Sequence, residues 1–158
     1  MRRQERAITD PGQIEALIVQ NQILRVAFYD RGELYIVPVN YGYGYHNGVY
    51  TFYFHGAAAG RKYELSRCGP RVGFELDSAY RLLEGPSPCQ YSAAYASVIG
   101  TGRISLVEDP EEKQRGLDAI LSQARGVRQE WSYPEASLQK TAVFRLEAET
   151  LSCKAHNA

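Results

Sequence analysis

Cysteine is scarce in this chain. Cys68, Cys89 and Cys153 are the only three among 158 residues, and they lie too far apart to suggest a disulfide framework or a metal knuckle. That scarcity points to a reducing compartment. The histidines, His46, His55 and His156, are equally scattered, with neither an HExxH pattern nor a compact Cys/His cluster, so no metal site is expected. An excess of charge of either sign is also missing: eighteen basic residues balance eighteen acidic ones, which excludes a duplex-binding surface built on bulk positive charge. No apolar run approaches membrane-spanning length, and residues 1–6 lack the apolar segment of a secretory signal, so a cytoplasmic location is expected. Neither an internal repeat nor an interdomain linker is visible, and the length suits one domain covering residues 1–158.

Tyrosine, by contrast, is abundant, with twelve copies, several in strand-like segments. Asp10-Pro11-Gly12-Gln13 opens a helix, with Asp10 at the N-cap, proline at the first helical position and Ile14, Leu17 and Ile18 on one side. That helix should stop near Gln22. Residues 24–29 and 34–37, separated by Asp30-Arg31-Gly32, form a strand, hairpin, strand signal. Pro38 interrupts a strand-like run and favours an edge, a bulge or a ligand-facing irregularity. The glycine-tyrosine stretch 42–48 reads as a turn, residues 49–54 as a strand, 62–67 as a short helix and 72–76 as a strand, with a looser segment at 78–89. A long strand over 95–107 contains Gly100 and Gly102, a pairing that suggests the bend of a small barrel. Asp109-Pro110-Glu111-Glu112 repeats the capping logic before a helix carrying Leu117, Ile120 and Leu121. A turn-rich segment with Trp131 and Pro134 then leads to a last strand at 141–148. The expected architecture is mainly β: a six-stranded antiparallel barrel with peripheral helices.

The stretch Phe52-Tyr53-Phe54-His55-Gly56-Ala57-Ala58-Ala59-Gly60-Arg61-Lys62 carries the clearest chemistry. Read as strand, tight loop and first helical turn, it places free backbone N–H groups beside two cations, the outline of an anion or phosphate site. Gly60 permits close approach, Arg61 supplies a bidentate fork and Lys62 a point charge. A turn leading into a solvated helix start explains the same pattern without a ligand.

Taken together, Tyr35 to Tyr43, Tyr53-Phe54-His55 leading to Gly60-Arg61-Lys62, Tyr95 with Ser97-Val98-Ile99-Gly100, Gly102-Arg103, and the tail with Trp131, Pro134 and Lys140 to Val143 resemble a known family. It is the group of FMN-binding split-barrel proteins related to pyridoxamine 5′-phosphate oxidase, and within it the nitroimidazole-resistance branch. The resemblance spans nearly the whole chain in order. It implies a homodimer with FMN sites at the subunit interface. It also implies that Ile36, Val37, Pro38, Val39 and Asn40 lie beside the isoalloxazine, and that Gly60, Arg61 and Lys62 meet the phosphate. His55 is a pocket residue under this reading, and Tyr95, Ser97 and Trp131 complete the pocket from the other subunit or pack the dimer. One departure is Ala96, where members of the branch often carry arginine; it bears on the substrate contact more than on FMN.

The function so implied is an FMN-dependent oxidoreductase that uses reduced nicotinamide to reduce a small aromatic or nitro-containing acceptor, with His55 or, less directly, Tyr95 assisting proton delivery. A non-catalytic flavin-binding or storage protein and a binding module for haem or another planar cofactor stand as alternatives. No nucleophile elbow or ordered triad accompanies Ser66, Ser97 or the histidines.

Overall fold

A computed structural model describes residues 3–156. Among them eight strands form one antiparallel sheet: β1 (Ala7–Ile8), β2 (Leu24–Asp30), β3 (Glu33–Val39), β4 (Gly42–His46), β5 (Val49–Ala57), β6 (Arg71–Leu83), β7 (Ser92–Leu106) and β8 (Thr141–His156). The strand order is β3-β2-β6-β7-β8-β5-β4, with β1 added to β8. Helices α1 (Pro11–Gln20), α2 (Arg61–Ser66), α3 (Pro110–Arg125) and α4 (Glu135–Lys140) lie at the periphery. The mainly β, antiparallel class therefore stands, but with eight strands rather than six. The barrel remains split because β3 and β4 are edges, not partners.

The two capped helices begin where the sequence places them. The Asp10 carboxylate accepts from the Gln13 N–H at 2.9 Å, and that of Asp109 from the Glu112 N–H at 2.8 Å, each with proline next in the chain. α1 ends two residues earlier than expected. Asn21 caps it in an extended conformation, donating its amide to the Leu17 carbonyl at 2.7 Å. From α3, the Gln123 amide then reaches the Ile18, Val19 and Asn21 carbonyls, satisfying groups that a helix end leaves open.

Three segments are more extended than their composition suggests. Gly42-Tyr43-Gly44-Tyr45-His46 is strand β4, and the turn is confined to Asn47 and Gly48. Gly42 is required there for close approach: a Cβ would fall 2.1 Å from the Ala119 carbonyl carbon, so the missing side chain lets α3 rest against the strand. The segment expected to be loose continues β6 to Leu83, past a register shift between Ser78 and Arg81. β8 runs on to His156, because one extra residue on β8, Glu149, is absorbed as a bulge opposite Thr101 and Gly102 of β7 and pairing then resumes.

Alternation along β2, β5, β6, β7 and β8 sends Val26, Phe28, Phe52, Phe54, Phe74, Leu76, Val98, Ile104, Phe144 and Leu146 into one core. Phe54 and Phe144, paired across β5 and β8, stack with centroids 5.0 Å apart. Among the described residues no helix is long and apolar enough to cross a membrane.

Candidate functional site

At the C-terminal end of β5 the chain leaves the sheet through Ala58 and Ala59. It turns at Gly60, whose φ of 94° lies in the region that favours glycine, and enters α2. α2 has only six residues, so it brings little dipole of its own, and the chemistry falls to side chains. Arg61 and Lys62 then part. Arg61 turns toward the β2–β3 hairpin, where its Nε donates to Asp30 at 2.8 Å and its Nη2 to Glu33 at 3.3 Å, with its guanidinium carbon 4.7 Å from the Tyr35 ring centroid. These ion pairs border an open cavity of about 450 Å³ that also includes Glu64 and Leu65.

Lys62 turns the other way. Its ammonium lies 4.9 Å from the Phe144 ring centroid and 5.4 Å from that of Phe54, and donates to the His55 carbonyl at 3.3 Å. The side chain is half-buried and, among the described residues, meets no carboxylate; desolvation lowers its pKa. A half-buried cation held by ring faces and one neutral carbonyl retains two N–H donors and an uncompensated charge. This is the part of the expected anion site that the structure leaves available.

His55 stands on the opposite face of β5, beside Val143 of β8. Much of the residue reaches solvent, yet its imidazole is close enough to the sheet for desolvation, and secondarily the Lys62 charge, to lower its pKa. Neutral imidazole is therefore its form at pH 7, with one N–H donor and one acceptor nitrogen. On the same face, the Tyr53 hydroxyl donates to Glu112 of α3 at 3.1 Å and Arg145 donates to the same carboxylate at 3.1 Å, fixing α3 over the sheet. Burial first and Glu112 second push the Tyr53 pKa up to about 12, which keeps the phenol protonated.

The edge strand β3 presents Ile36 and Pro38 on an exposed face, Val37 half-buried and Val39 buried, while the Asn40 amide donates to the Gln22 carbonyl at 3.4 Å. Pro38 causes neither bulge nor break. Pairing with β2 is continuous from Asp30–Glu33 to Leu24–Val39, and the missing N–H is tolerated because β3 is outermost.

Tyr95 and Ser97 are remote from His55 within one chain. Tyr95 is level with His156 and His55 with Val143, so they sit toward opposite ends of β8, separated by roughly 40 Å of extended strand. Trp131 is held on the flank of α3, its N–H on Asp118 at 3.2 Å and its carbonyl on Gln114 at 3.2 Å. Ala96 faces the core and is buried, so an arginine there would not share the face of Tyr95 and Ser97. A second cavity, about 740 Å³, lies between the end of α1, Tyr43 and the C-terminal half of α3, and includes none of the expected site residues.

Sequence reasoning missed Gly56 and Phe144. Gly56 reads in the sequence as part of the tight loop before Arg61, whereas it is a β5 residue paired with Ala142. Phe144 carried no signal beyond core periodicity.

A model of the pyridoxamine 5′-phosphate oxidase family matches residues 10–155. Among solved structures, a candidate 5-nitroimidazole antibiotic resistance protein from Bacteroides thetaiotaomicron VPI-5482 is 27% identical, with a TM-score of 0.78 over 94% of this chain and 86% of its own. The flavocytochrome Anf3 from Azotobacter vinelandii is 20% identical, with a TM-score of 0.80 over 100% of this chain and 72% of its own. A FAD and heme binding protein from Mycobacterium smegmatis is 16% identical, with a TM-score of 0.80 over 97% and 74% respectively. The last two share the fold. No curated protein sequence matches the chain.

Proposed function

The chain belongs to the pyridoxamine 5′-phosphate oxidase family, and from that premise we propose that it is an FMN-dependent oxidoreductase reducing a small aromatic or nitro-containing acceptor at the expense of reduced nicotinamide. The observation that carries the flavin-phosphate part is Lys62, half-buried, without a carboxylate partner among the described residues and aimed by two aromatic rings. Such a cation is stabilised by an anion that supplies the missing charge. Arg61, engaged by Asp30 and Glu33, must give up those pairs to reach a phosphate, so its first role is to tie α2 to the hairpin.

The donor set suits FMN. Lys62 holds the phosphate; the outer edge of β3 from Ile36 to Val39, with Asn40 just beyond it, has backbone groups unclaimed by a further strand among the described residues; and the exposed sheet face offers an apolar surface for a ring. When bound, FMN supplies reversible hydride acceptance at its ring system. The protein's part is to bind, orient and exclude water, and to hold a proton at the His55 imidazole nitrogen for the acceptor being reduced.

We take the working form to be a homodimer. Tyr29, Leu34, Ile36 and Ile99 share one outward sheet face with the Arg25–Glu75–Asp77 ion pairs and are each more than half exposed, a mixed apolar and charged surface that a second copy would cover. Tyr95 and Ser97 lie on that face too, so only a second copy would carry them to the neighbourhood of His55. The relative from B. thetaiotaomicron supports the nitro-acceptor class.

The test is the absorption spectrum of the native preparation, mass identification of the released chromophore, and then reduced-nicotinamide oxidation across an acceptor panel. Release of FMN and acceptor-dependent oxidation support the reading. Bound FMN without turnover reduces it to a flavin carrier; a Soret band with no affinity for added FMN overturns it.

A further inference from the structure

We propose that Gly56 is a positioning residue, the missing side chain that forms a seat for the Lys62 ammonium, and that selection of a phosphorylated over an unphosphorylated flavin depends on this seat. The inference rests on Lys62 being the phosphate partner.

Gly56 lies on β5 directly across from Ala142 of β8, two pairs beyond the stacked Phe54 and Phe144 and on the same face of the sheet. Its hydrogen and the Ala142 methyl make a shallow floor, with the two rings beside it. A Cβ on Gly56 would fall 2.9 Å from Lys62 Nζ and 3.3 Å from its Cε, against 3.7 Å from the Phe144 ring. Two of those three contacts are with the far end of one flexible side chain. The φ of Gly56 is not positive, so alanine meets no backbone strain. The fold therefore accommodates alanine here by moving Lys62, which makes the substitution a probe of that ammonium rather than of the sheet.

Placement matters because the ammonium has few constraints. One of its three N–H groups meets the His55 carbonyl at 3.3 Å, and the rings restrain it by attraction to their faces without using a donor. The remaining donors are free for phosphate oxygens only while Nζ stays in the seat. Displaced, the flexible stem returns its charge to solvent, where a single lysine contributes little to anion binding.

FMN and riboflavin dissociation constants, measured by flavin-fluorescence quenching, separate the two readings in wild type, Gly56→Ala, Lys62→Met, the double variant and Lys62→Arg. Lys62→Met should weaken FMN roughly 10–100-fold and leave riboflavin unchanged. Gly56→Ala should weaken FMN at least about 5-fold, also without effect on riboflavin, and add nothing once Lys62 is methionine. Lys62→Arg keeps the charge but is too broad for the seat, and should lose FMN affinity to a similar degree as Gly56→Ala. An unchanged FMN-to-riboflavin ratio in Lys62→Met removes the phosphate reading itself. If that ratio falls but Gly56→Ala or Lys62→Arg retains wild-type selectivity, or the Gly56 and Lys62 effects simply add, the phosphate reading survives and the seat is wrong. Because each protein is compared with itself on two ligands, a general loss of stability does not imitate the expected pattern.

Discussion

Arg61 and Lys62 are adjacent in sequence and diverge in space: the guanidinium of Arg61 is bound by Asp30 and Glu33 on the β2–β3 hairpin, while the ammonium of Lys62 lies over Phe54 and Phe144. Two successive helical residues point about 100° apart, so a six-residue helix set between a hairpin and a sheet naturally sends one cation to each. One cation is already neutralised by protein carboxylates and the other is not, which turns a doubly basic motif into one anchor and one available charge.

The division of labour predicts opposite sensitivities. Arg61→Ala should loosen α2, seen as faster amide exchange over Arg61–Ser66, and change FMN affinity by only a few-fold. Lys62→Met should leave that exchange nearly unchanged and cost FMN about 1.5–3 kcal/mol, the range for a hydrogen bond to a charged group. High salt should mimic Arg61→Ala in the exchange experiment, because these pairs are partly exposed and screened. Unaltered exchange in Arg61→Ala would remove the anchor.

Much of the fold was legible because its determinants are local. Asp10 and Asp109 announce their helices through side-chain caps three residues long, and the β2–β3 hairpin through Arg31 and Gly32 between alternating strands. What escaped depends on distant partners. Gly42 reads as a turn residue until α3, far along the chain, is seen resting on it, and the second half of β8 is polar enough to look like a tail until β7 pairs with it. The anion motif was legible as charge, not as geometry: nothing within residues 52–62 tells that Phe144 helps receive Lys62 and that Asp30 receives Arg61.

The lowered pKa of His55 has a defined sign in folding. Desolvation and the Lys62 charge disfavour imidazolium in the folded chain, so between the folded pKa and the ordinary value of about 6.5 the unfolded chain binds more protons. The resulting stability is fully present above about pH 6.5 and is lost as pH falls through the folded pKa. Urea unfolding from pH 7.5 to 5 should therefore fall more steeply for wild type than for His55→Gln; parallel curves would exclude the effect. If the imidazole also delivers a proton, His55→Gln should lower turnover far more than it lowers FMN affinity.

Close packing of α3 on β4 should make Gly42 intolerant of any side chain. An alanine there places a methyl 2.1–2.4 Å from the Ala119 and Ile120 backbone, neither of which is the free end of a flexible group. The helix must lift, with an overpacking cost of about 1–3 kcal/mol or more. For a chain of this size that lowers Tm by about 2–12 °C. A Gly42→Ala protein with wild-type Tm would show that α3 is not seated as described.

Ile99 offers the sharpest separation of the proposed dimer from the monomer fold. Its side chain is 55% exposed on the outward face of β7, level with Glu75 of β6 and Ser152 of β8, so it takes no part in the core. Substituting lysine should therefore change the stability of an isolated chain little, since surface substitutions away from special features stay within about 0.5 kcal/mol. Across a two-fold interface, however, every substitution occurs twice, and taking a lysine ammonium out of water costs more than a contact with the neighbouring Glu75 returns. Ile99→Lys should sediment as a monomer at concentrations where wild type is a dimer, and should lose FMN with it, since Tyr95 and Ser97 can meet the His55 end only from a second copy. A monomeric wild type would remove the interface, whereas an Ile99→Lys monomer that keeps wild-type FMN affinity would place the whole flavin site within one chain.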